Sequence, residues 1–315
     1  MKKYLITTPL DFLPDIERKL KNKNCIFAYG FSKDNIIDIV HDIDIWVCQP
    51  CPKYIIDSSI LKNANKLKII ASTSTGTNHI DMEYCDKHDI KVISLKGNEK
   101  TNTIVASSEF TFALMLSLIR KIPFSFSAVK SGKWRESEGY FRSIELKDKT
   151  LGIIGFGRIG SNNAKYANAF DMNVIAYDPY VKISESYVEQ KNDYTNVLRE
   201  SDILMICVHL SDSTKNMVNE FWFDHMKDGI YFINTSRGEI VNEGDLLKNL
   251  ESGKIAAAGL DVICNEMNKD KINNPLIMYA DSNSNLIITP HIAGLTYDSE
   301  RKAAEIILKE VGLYE

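Results

Sequence analysis

Long apolar runs, a basic surplus and cysteine are all scarce in this chain. The most apolar stretch, Phe110 to Ile122, is interrupted by Ser117, Arg120 and Lys121, which leaves it too short to span a bilayer. The first residues carry two lysines, but the apolar run from Tyr4 stops after three residues and Pro9 soon follows. That segment reads as a first strand and not as a secretory signal. No membrane partner is expected, and the expected location is the cytoplasm. Lysine and arginine number 38 against 42 aspartates and glutamates, a formal net charge of −4 with the two signs interleaved. Phosphate backbones are held by a concentrated basic face, so nucleic acid is not expected as a partner. Six cysteines (Cys25, Cys48, Cys51, Cys85, Cys207, Cys264) are few for 315 residues. Four sit in or beside strand-like apolar runs, where a thiol behaves as a small buried hydrophobe, and reduced thiols are expected. Cys48 and Cys51 have redox or metal spacing, yet no second pair or histidine cluster accompanies them, so no metal is expected. Repeats and low-complexity tracts are also missing.

What is present is an ordinary globular composition, 44% hydrophobic and 25% charged, with enough length for two full cores. Short Ile/Val-rich runs at Tyr4 to Thr7, Cys25 to Tyr29, Ile43 to Cys48, Leu67 to Ser72 and Lys91 to Ser94 alternate with amphipathic segments. Phe12, Ile16 and Leu20, spaced i, i+4, i+8, mark one such helix. A second set of runs begins at Leu151 and continues at Asn173 to Tyr177, Ile203 to Val208, Ile230 to Asn234, Ile255 to Leu260 and Leu286 to Thr289. Such β/α alternation predicts two doubly wound parallel-sheet units. Between them a helix is predicted from about Val105 to Ile122, apolar nearly all round its axis. It is either a core helix or one shared with a subunit partner. A terminal amphipathic helix is predicted at about Tyr297 to Leu313.

The strongest single motif opens the second unit. Gly155, Gly157 and Gly160 follow the strand Leu151 to Ile154 and lead into a helix. The first glycine permits a tight turn, the second lets backbone N–H groups approach a pyrophosphate, and the third lets helix pack on sheet. Asp178, 18 residues past Gly160, ends the next strand, where a carboxylate can accept both adenosine ribose hydroxyls. It would repel a 2′-phosphate, so NAD is expected over NADP.

Downstream, Arg237, Glu266 and His291 stand after predicted strands, where open α/β sheets bind ligands. Arginine suits bidentate binding of a carboxylate, and histidine exchanges protons near neutral pH. Each alone would be an ion pair, a solvated acid or an inert imidazole. Together they form a carboxylate binder and an acid–base pair, because a carboxylate beside an imidazole favours its protonated form. In the first unit, the small residues Ser72 to Asp81 follow a strand and open a helix, exposing N–H groups that could hold an anion.

These segments jointly resemble the D-isomer-specific 2-hydroxyacid dehydrogenase family, including its phosphoglycerate dehydrogenase-like and glyoxylate/hydroxypyruvate reductase-like members. Ser-Thr-Gly-Thr-Asn-His-Ile-Asp at 74 to 81 resembles the family's substrate loop, and residues 108 to 120 its interdomain and dimer helix. Residues 149 to 160 and 177 to 180 resemble its cofactor domain. Residues 233 to 238, 259 to 262 and 289 to 294 resemble its catalytic segments.

The resemblance implies an NAD-dependent oxidoreductase acting on the CH–OH group of a small 2-hydroxy acid, or reducing the 2-keto acid. Arg237 would bind the substrate carboxylate and carbonyl oxygen, His291 would be the general acid, and Glu266 would orient and charge His291. Ser74, Thr75 and Gly76 would offer N–H groups to the carboxylate. Arg158 and Ile159, with Gly155, Gly157 and Gly160, would lie at the pyrophosphate and Asp178 at the ribose. Val208 would lie beside the adenosine side, and Thr235, Ser236, Asp261 and Gly294 around the nicotinamide half. The implied architecture is a Rossmann NAD domain, residues 101–289, inserted into a flavodoxin-like substrate domain, residues 1–100 and 290–315, with the active site in the cleft between them. A homodimer through the NAD domain is implied.

Two departures stand out. Gln49-Pro50 occupies the place where phosphoglycerate members commonly have an Arg-Ser type pair, so the likeness does not extend to phosphate recognition there. Ser107-Ser108-Glu109 replaces the usual start of the family helix. An NADH-sensing corepressor-like protein and a formate dehydrogenase-like enzyme share the architecture and stand as the alternatives. The latter uses an amide where this chain has Glu266.

Overall fold

A computed structural model describes residues 2–50, 52–268 and 270–314, so Cys51 and its spacing to Cys48 lie outside the described residues. The chain forms two compact units, Met1–Ile104 with Leu295–Glu315, and Val105–Gly294.

In the first unit five short strands, β1 (Tyr4–Ile6), β2 (Cys25–Phe27), β3 (Ile45–Cys48), β4 (Ile69–Ser72) and β5 (Lys91–Ile93), form a parallel sheet in the order β2-β1-β3-β4-β5. This is the flavodoxin-like order. Period-two alternation sends Trp46, Cys48 and Ile70 into one apolar layer and Ile45, Val47 and Ala71 into the other. Both faces are covered, which is why these strands read as unbroken apolar runs. The second layer is completed from the far end of the sequence. Helix Tyr297–Glu310, capped by Thr296, buries Ala303, Ala304, Ile307 and Leu308 there. Arg301 donates two 2.8 Å bonds to Asp15, on helix Pro14–Lys21.

The second unit carries seven parallel strands: β6 (Thr150–Ile154), β7 (Asn173–Tyr177), β8 (Val188–Gln190), β9 (Ile203–Ile206), β10 (Ile230–Asn234), β11 (Ile255–Leu260) and β12 (Leu286–Ile288). Their order, β12-β11-β10-β9-β6-β7-β8, is the Rossmann order extended at one edge. Leu204 and Ile206 enter one layer, Ile203 and Met205 the other. Helix Ala106–Ile119 lies in the second of these layers, with Leu114 at 3.1 Å from where a Cβ on Gly259 would stand.

The sequence expectations need four corrections. The helix predicted to reach Ile122 ends at Ile119, because Lys121 takes a left-handed φ of 52° and a new helix, Ile122–Lys130, starts with a proline in its first turn. Edge strand β8 went unseen, being three residues long and carrying Glu189 and Gln190. The stretch Glu99–Ile119 is by length and composition apolar enough to cross a membrane, contrary to the count from Phe110. Here, however, Phe112, Met115, Leu118 and Ile119 are buried in a protein core. The expected boundaries at 101 and 290 move to 105 and 295. Thr101 donates to Leu95 O and Lys302 to Thr103 O, tying 101–104 to the first unit, whereas Ile292 and Ala293 donate to Asp261 in the second.

Ile307 is fully buried where the last helix closes the first sheet. We expect Ile307→Ala to lower stability by about 2–5 kcal/mol, measured by urea unfolding.

Candidate active site

Every site residue expected in the second unit sits at or beyond the carboxyl end of a strand of one sheet, or on the glycine turn that follows β6. Asp178 follows β7, Gly155 follows β6, Val208 follows β9, Arg237 follows β10, Asp261 and Glu266 follow β11, and His291 follows β12. Asp178 and Arg237 are thus three strand spacings apart, roughly 14 Å along the sheet edge.

At the switch point between β6 and β9, Gly155 has φ 91° and an added Cβ would fall 2.6 Å from Cys207 O and 2.8 Å from Val208 Cγ1. On Gly160 an added Cβ would fall 2.2 Å from Gly155 O. Gly157 is different, since nothing lies within 4 Å of that position. It caps helix Arg158–Ala169, whose N-terminus has no side-chain cap. Open space in front of uncapped helical N–H groups is what a pyrophosphate requires. Arg158 is half-buried beside the turn, and that burial lowers its pKa. Asp178 Oδ2 accepts the Phe156 N–H at 2.8 Å, so the carboxylate expected at the ribose also fixes the glycine turn. Its Oδ1 accepts from Tyr180 and Val181 N–H groups. The donor set and the space fit a dinucleotide.

The Arg237 turn is built on Asn234, which is buried. Asn234 Nδ2 donates to Arg237 O at 2.9 Å and its Oδ1 accepts the Ser236 N–H at 3.0 Å. Ser236 Oγ donates to Ile206 O, and Thr235 Oγ1 lies 2.7 Å from Thr111 Oγ1 on helix Ala106–Ile119. Gly238 follows, and a Cβ there would lie 2.0 Å from Ile263 C and 2.3 Å from Cys264 N. The turn carrying Arg237 is therefore pressed against the segment that leads to Glu266. Glu243 holds that segment from the other side, accepting Cys264 N–H at 2.6 Å and Asn274 Nδ2 at 2.9 Å.

His291 and Glu266 meet, with Nδ1 2.6 Å from Oε1, both side chains half-buried. His291 has φ 56°, a left-handed conformation that costs a non-glycine residue about 1–2 kcal/mol. Asp261 offsets that cost. It is fully buried, and its carboxylate accepts Thr289 Oγ1 at 2.6 Å, Ile292 N–H at 3.0 Å and Ala293 N–H at 2.8 Å. Its own carbonyl accepts the His291 N–H at 2.9 Å. Hydrogen bonds to a charged acceptor contribute about 1.5–3 kcal/mol each, enough to hold the turn. Asp261, expected around the nicotinamide, is thus committed in this structure to the His291 turn. Gly294 is exposed, and an added Cβ would lie 3.5 Å from Ser107 Oγ.

In the first unit, Ser74, Thr75 and Gly76 are half-buried after β4. Among the described residues no acceptor takes the N–H groups of residues 74–77, which suits an anion-binding loop. Burial pushes Cys48, Cys207 and Cys264 up to about 12 and Cys25 and Cys85 to about 11, so they stay protonated. Among the described residues no cluster of three metal-ligating side chains occurs.

Asn234, Gly238 and Glu243 were not singled out from sequence. A glycine directly after an arginine at a strand end is a signal of close backbone approach that could have found Gly238. Glu243 gives none, because its partners lie 21 and 31 residues away.

The family profile for the NAD binding domain of D-isomer specific 2-hydroxyacid dehydrogenases matches residues 112–293. A hydroxypyruvate reductase of Thermotoga maritima is 35% identical over 98% of both chains. A D-3-phosphoglycerate dehydrogenase of Archaeoglobus fulgidus is 35% identical over 90% of this chain, which spans only 51% of that protein. The crystal structure of D-lactate dehydrogenase from Aquifex aeolicus, complexed with NAD and lactic acid, superposes with a TM-score of 0.81 at 29% identity, covering 99% of this chain and 94% of that one.

The three glycines should separate in experiment. We expect Gly160→Ala to cost about 1–3 kcal/mol of stability through overpacking. Gly157→Ala should change stability by less than about 0.5 kcal/mol. It should nonetheless weaken NADH binding by about tenfold or more, because a methyl would enter the open space expected to take the pyrophosphate. Thermal melts and fluorescence titration with NADH check both.

Proposed function

The chain belongs to the D-isomer specific 2-hydroxyacid dehydrogenase family, and from that premise we propose that it interconverts a small 2-keto acid and the corresponding D-2-hydroxy acid with NAD(H). The observation that carries the reading is the 2.6 Å His291–Glu266 pair beside the segment against which the Arg237 turn is packed. NAD supplies or accepts the hydride when bound. Gly157, Arg158 and Ile159 would hold its pyrophosphate and Asp178 its ribose. Val208 would line the adenosine side, with Thr235, Ser236, Asp261 and Gly294 around the nicotinamide half.

The remaining chemistry belongs to the chain. With Nδ1 held by Glu266, Nε2 is the ring nitrogen left to exchange a proton with substrate. In reduction Nε2–H protonates the carbonyl oxygen as the carbonyl carbon gains hydride. In oxidation Nε2 takes the hydroxyl proton as the carbon loses hydride. Arg237, its backbone fixed by Asn234 and its Nη1 donating to Ser236 O at 2.6 Å, would bind the substrate carboxylate and polarise the carbonyl. Ser74, Thr75 and Gly76 would add backbone N–H groups to the carboxylate. Relatives and structural neighbours favour this dehydrogenase reading over the corepressor-like and formate dehydrogenase-like ones.

We further propose a homodimer formed through segment 122–142 and a cytoplasmic location. Ile122, Phe126, Val129, Trp134 and Tyr140 are all more than half exposed there, and the same segment carries a groove of about 630 Å³ bordered by Val129, Trp134 and Phe141. A groove and protruding aromatics on one segment suit the self-complementary contact of a twofold dimer. The five described cysteines are free thiols, in keeping with a reducing compartment.

A panel of glyoxylate, hydroxypyruvate, pyruvate, larger 2-keto acids and phosphohydroxypyruvate, each with NADH and NADPH, tests the reaction. Turnover with NADH is expected, and strong NADPH preference would refute the role of Asp178. His291→Ala should lower kcat by about 10²–10⁴-fold while NADH binding is kept. Trp134→Glu should shift the protein from dimer to monomer in analytical ultracentrifugation, and a monomeric parent protein would exclude the dimer.

A further inference from the structure

Below the substrate loop, the first unit buries polar groups that the chemistry above does not use. His79 is 6% exposed, and Ser72 and Cys48 are fully buried. His79 Nε2 lies 3.1 Å from Ser72 Oγ and 3.6 Å from Cys48 Sγ. Ser72 Oγ lies 2.9 Å from Ser74 Oγ, and Ser74 Oγ donates to Gly76 O at 2.7 Å.

These contacts admit one direction. Each hydroxyl has a single proton to give. Ser74 spends its proton on Gly76 O, so the short contact to Ser72 requires Ser72 to donate to Ser74. Ser72 must then accept from the imidazole, which places a proton on His79 Nε2. The backbone around the chain is fixed independently. Ser74 O accepts the Leu95 N–H, and His79 O accepts the Ile56 N–H, which pins the start and end of the loop to neighbouring segments.

We propose that His79, acting through Ser72 and Ser74, is a positioning residue for substrate binding. It sets the peptide between Gly76 and Thr77 with its carbonyl turned into the unit, so that the Thr77 N–H on the opposite edge of that planar group faces away from the buried chain. Anion-binding N–H groups on this loop are thereby held before any substrate arrives, which lowers the cost of ordering them on binding. The hydroxyl relay explains why a histidine is buried here without any part in proton transfer to substrate. The inference rests on the dehydrogenase reading only in naming the loop's ligand as a 2-keto acid carboxylate.

Two measurements test it. In protein with ¹⁵N-labelled histidine, the His79 resonance, assigned by its loss in His79→Gln, should show a protonated Nε2. An unprotonated Nε2 overturns the chain of donors. In steady-state kinetics, Ser72→Ala and His79→Leu should raise KM for the 2-keto acid about tenfold. Both should leave kcat within about twofold and NADH binding unaltered, as for uniform binding loss. His79→Gln, which returns an N–H donor at similar reach, should recover most of the KM. Unchanged KM in Ser72→Ala, or His79→Gln no better than His79→Leu, overturns the proposal. Ser72→Ala removes a single oxygen and decides the kinetic arm if His79→Leu does not fold. A parent protein that turns over no 2-keto acid overturns the dehydrogenase reading instead, and the Nε2 assignment then decides the hydrogen-bond chain by itself.

Discussion

The buried carboxylate of Asp261 is the contact on which the His291–Glu266 arrangement depends. A carboxylate taken out of water costs several kcal/mol unless donors replace the solvent. Here Thr289 Oγ1 and the N–H groups of Ile292 and Ala293 do so, and all come from the turn that contains His291. The charge can be buried only if that turn exists, and the turn can hold His291 at φ 56° only because the charge is there. Satisfying one buried group thus fixes the imidazole in the conformation from which it reaches Glu266.

The same economy recurs at the other strand ends. Asp178 fixes the glycine turn, Asn234 shapes the backbone from which Arg237 projects, and Glu243 ties down the segment before Glu266. At Gly155, Gly160 and Gly238 neighbouring backbone stands where a Cβ would have to go, so the glycine turn packs directly on the end of β9 and the Arg237 turn on residues 263–264. Loops rigid enough for chemistry are obtained from polar groups that would otherwise be unsatisfied and from glycines that allow contact without a spacer.

Much of this was legible in the sequence because it is local. Apolar runs on both faces of parallel strands mark the sheets, and the spacing from Gly155 to Asp178 marks the cofactor turn. The pairing of Glu266 with His291, 25 residues apart, followed from family resemblance together with chemistry. What escaped has a common cause. Edge strand β8 has no apolar run to detect, since one side is open to solvent. The break at Lys121 depends on a single left-handed residue, in a position that composition does not mark. Asn234 and Glu243 act through partners that only the folded chain brings near, as do the bonds by which Asp261 holds the His291 turn. The hydroxyl relay from His79 is of the same kind, because three ordinary polar residues acquire a direction only from their distances.

The last helix completes an apolar layer whose other residues come from the first part of the chain. Ile6, Ile45, Val47 and Ala71 belong to strands made early, whereas Ala303, Ala304, Ile307 and Leu308 are added only when translation has passed the entire second unit. On the ribosome, therefore, the unit begun first is finished last. One face of its sheet stays open while the inserted unit, whose ends at Ser107 and Gly294 approach each other, is already contiguous and able to close. The order of synthesis makes the first-built strands the ones most in need of protection during biogenesis.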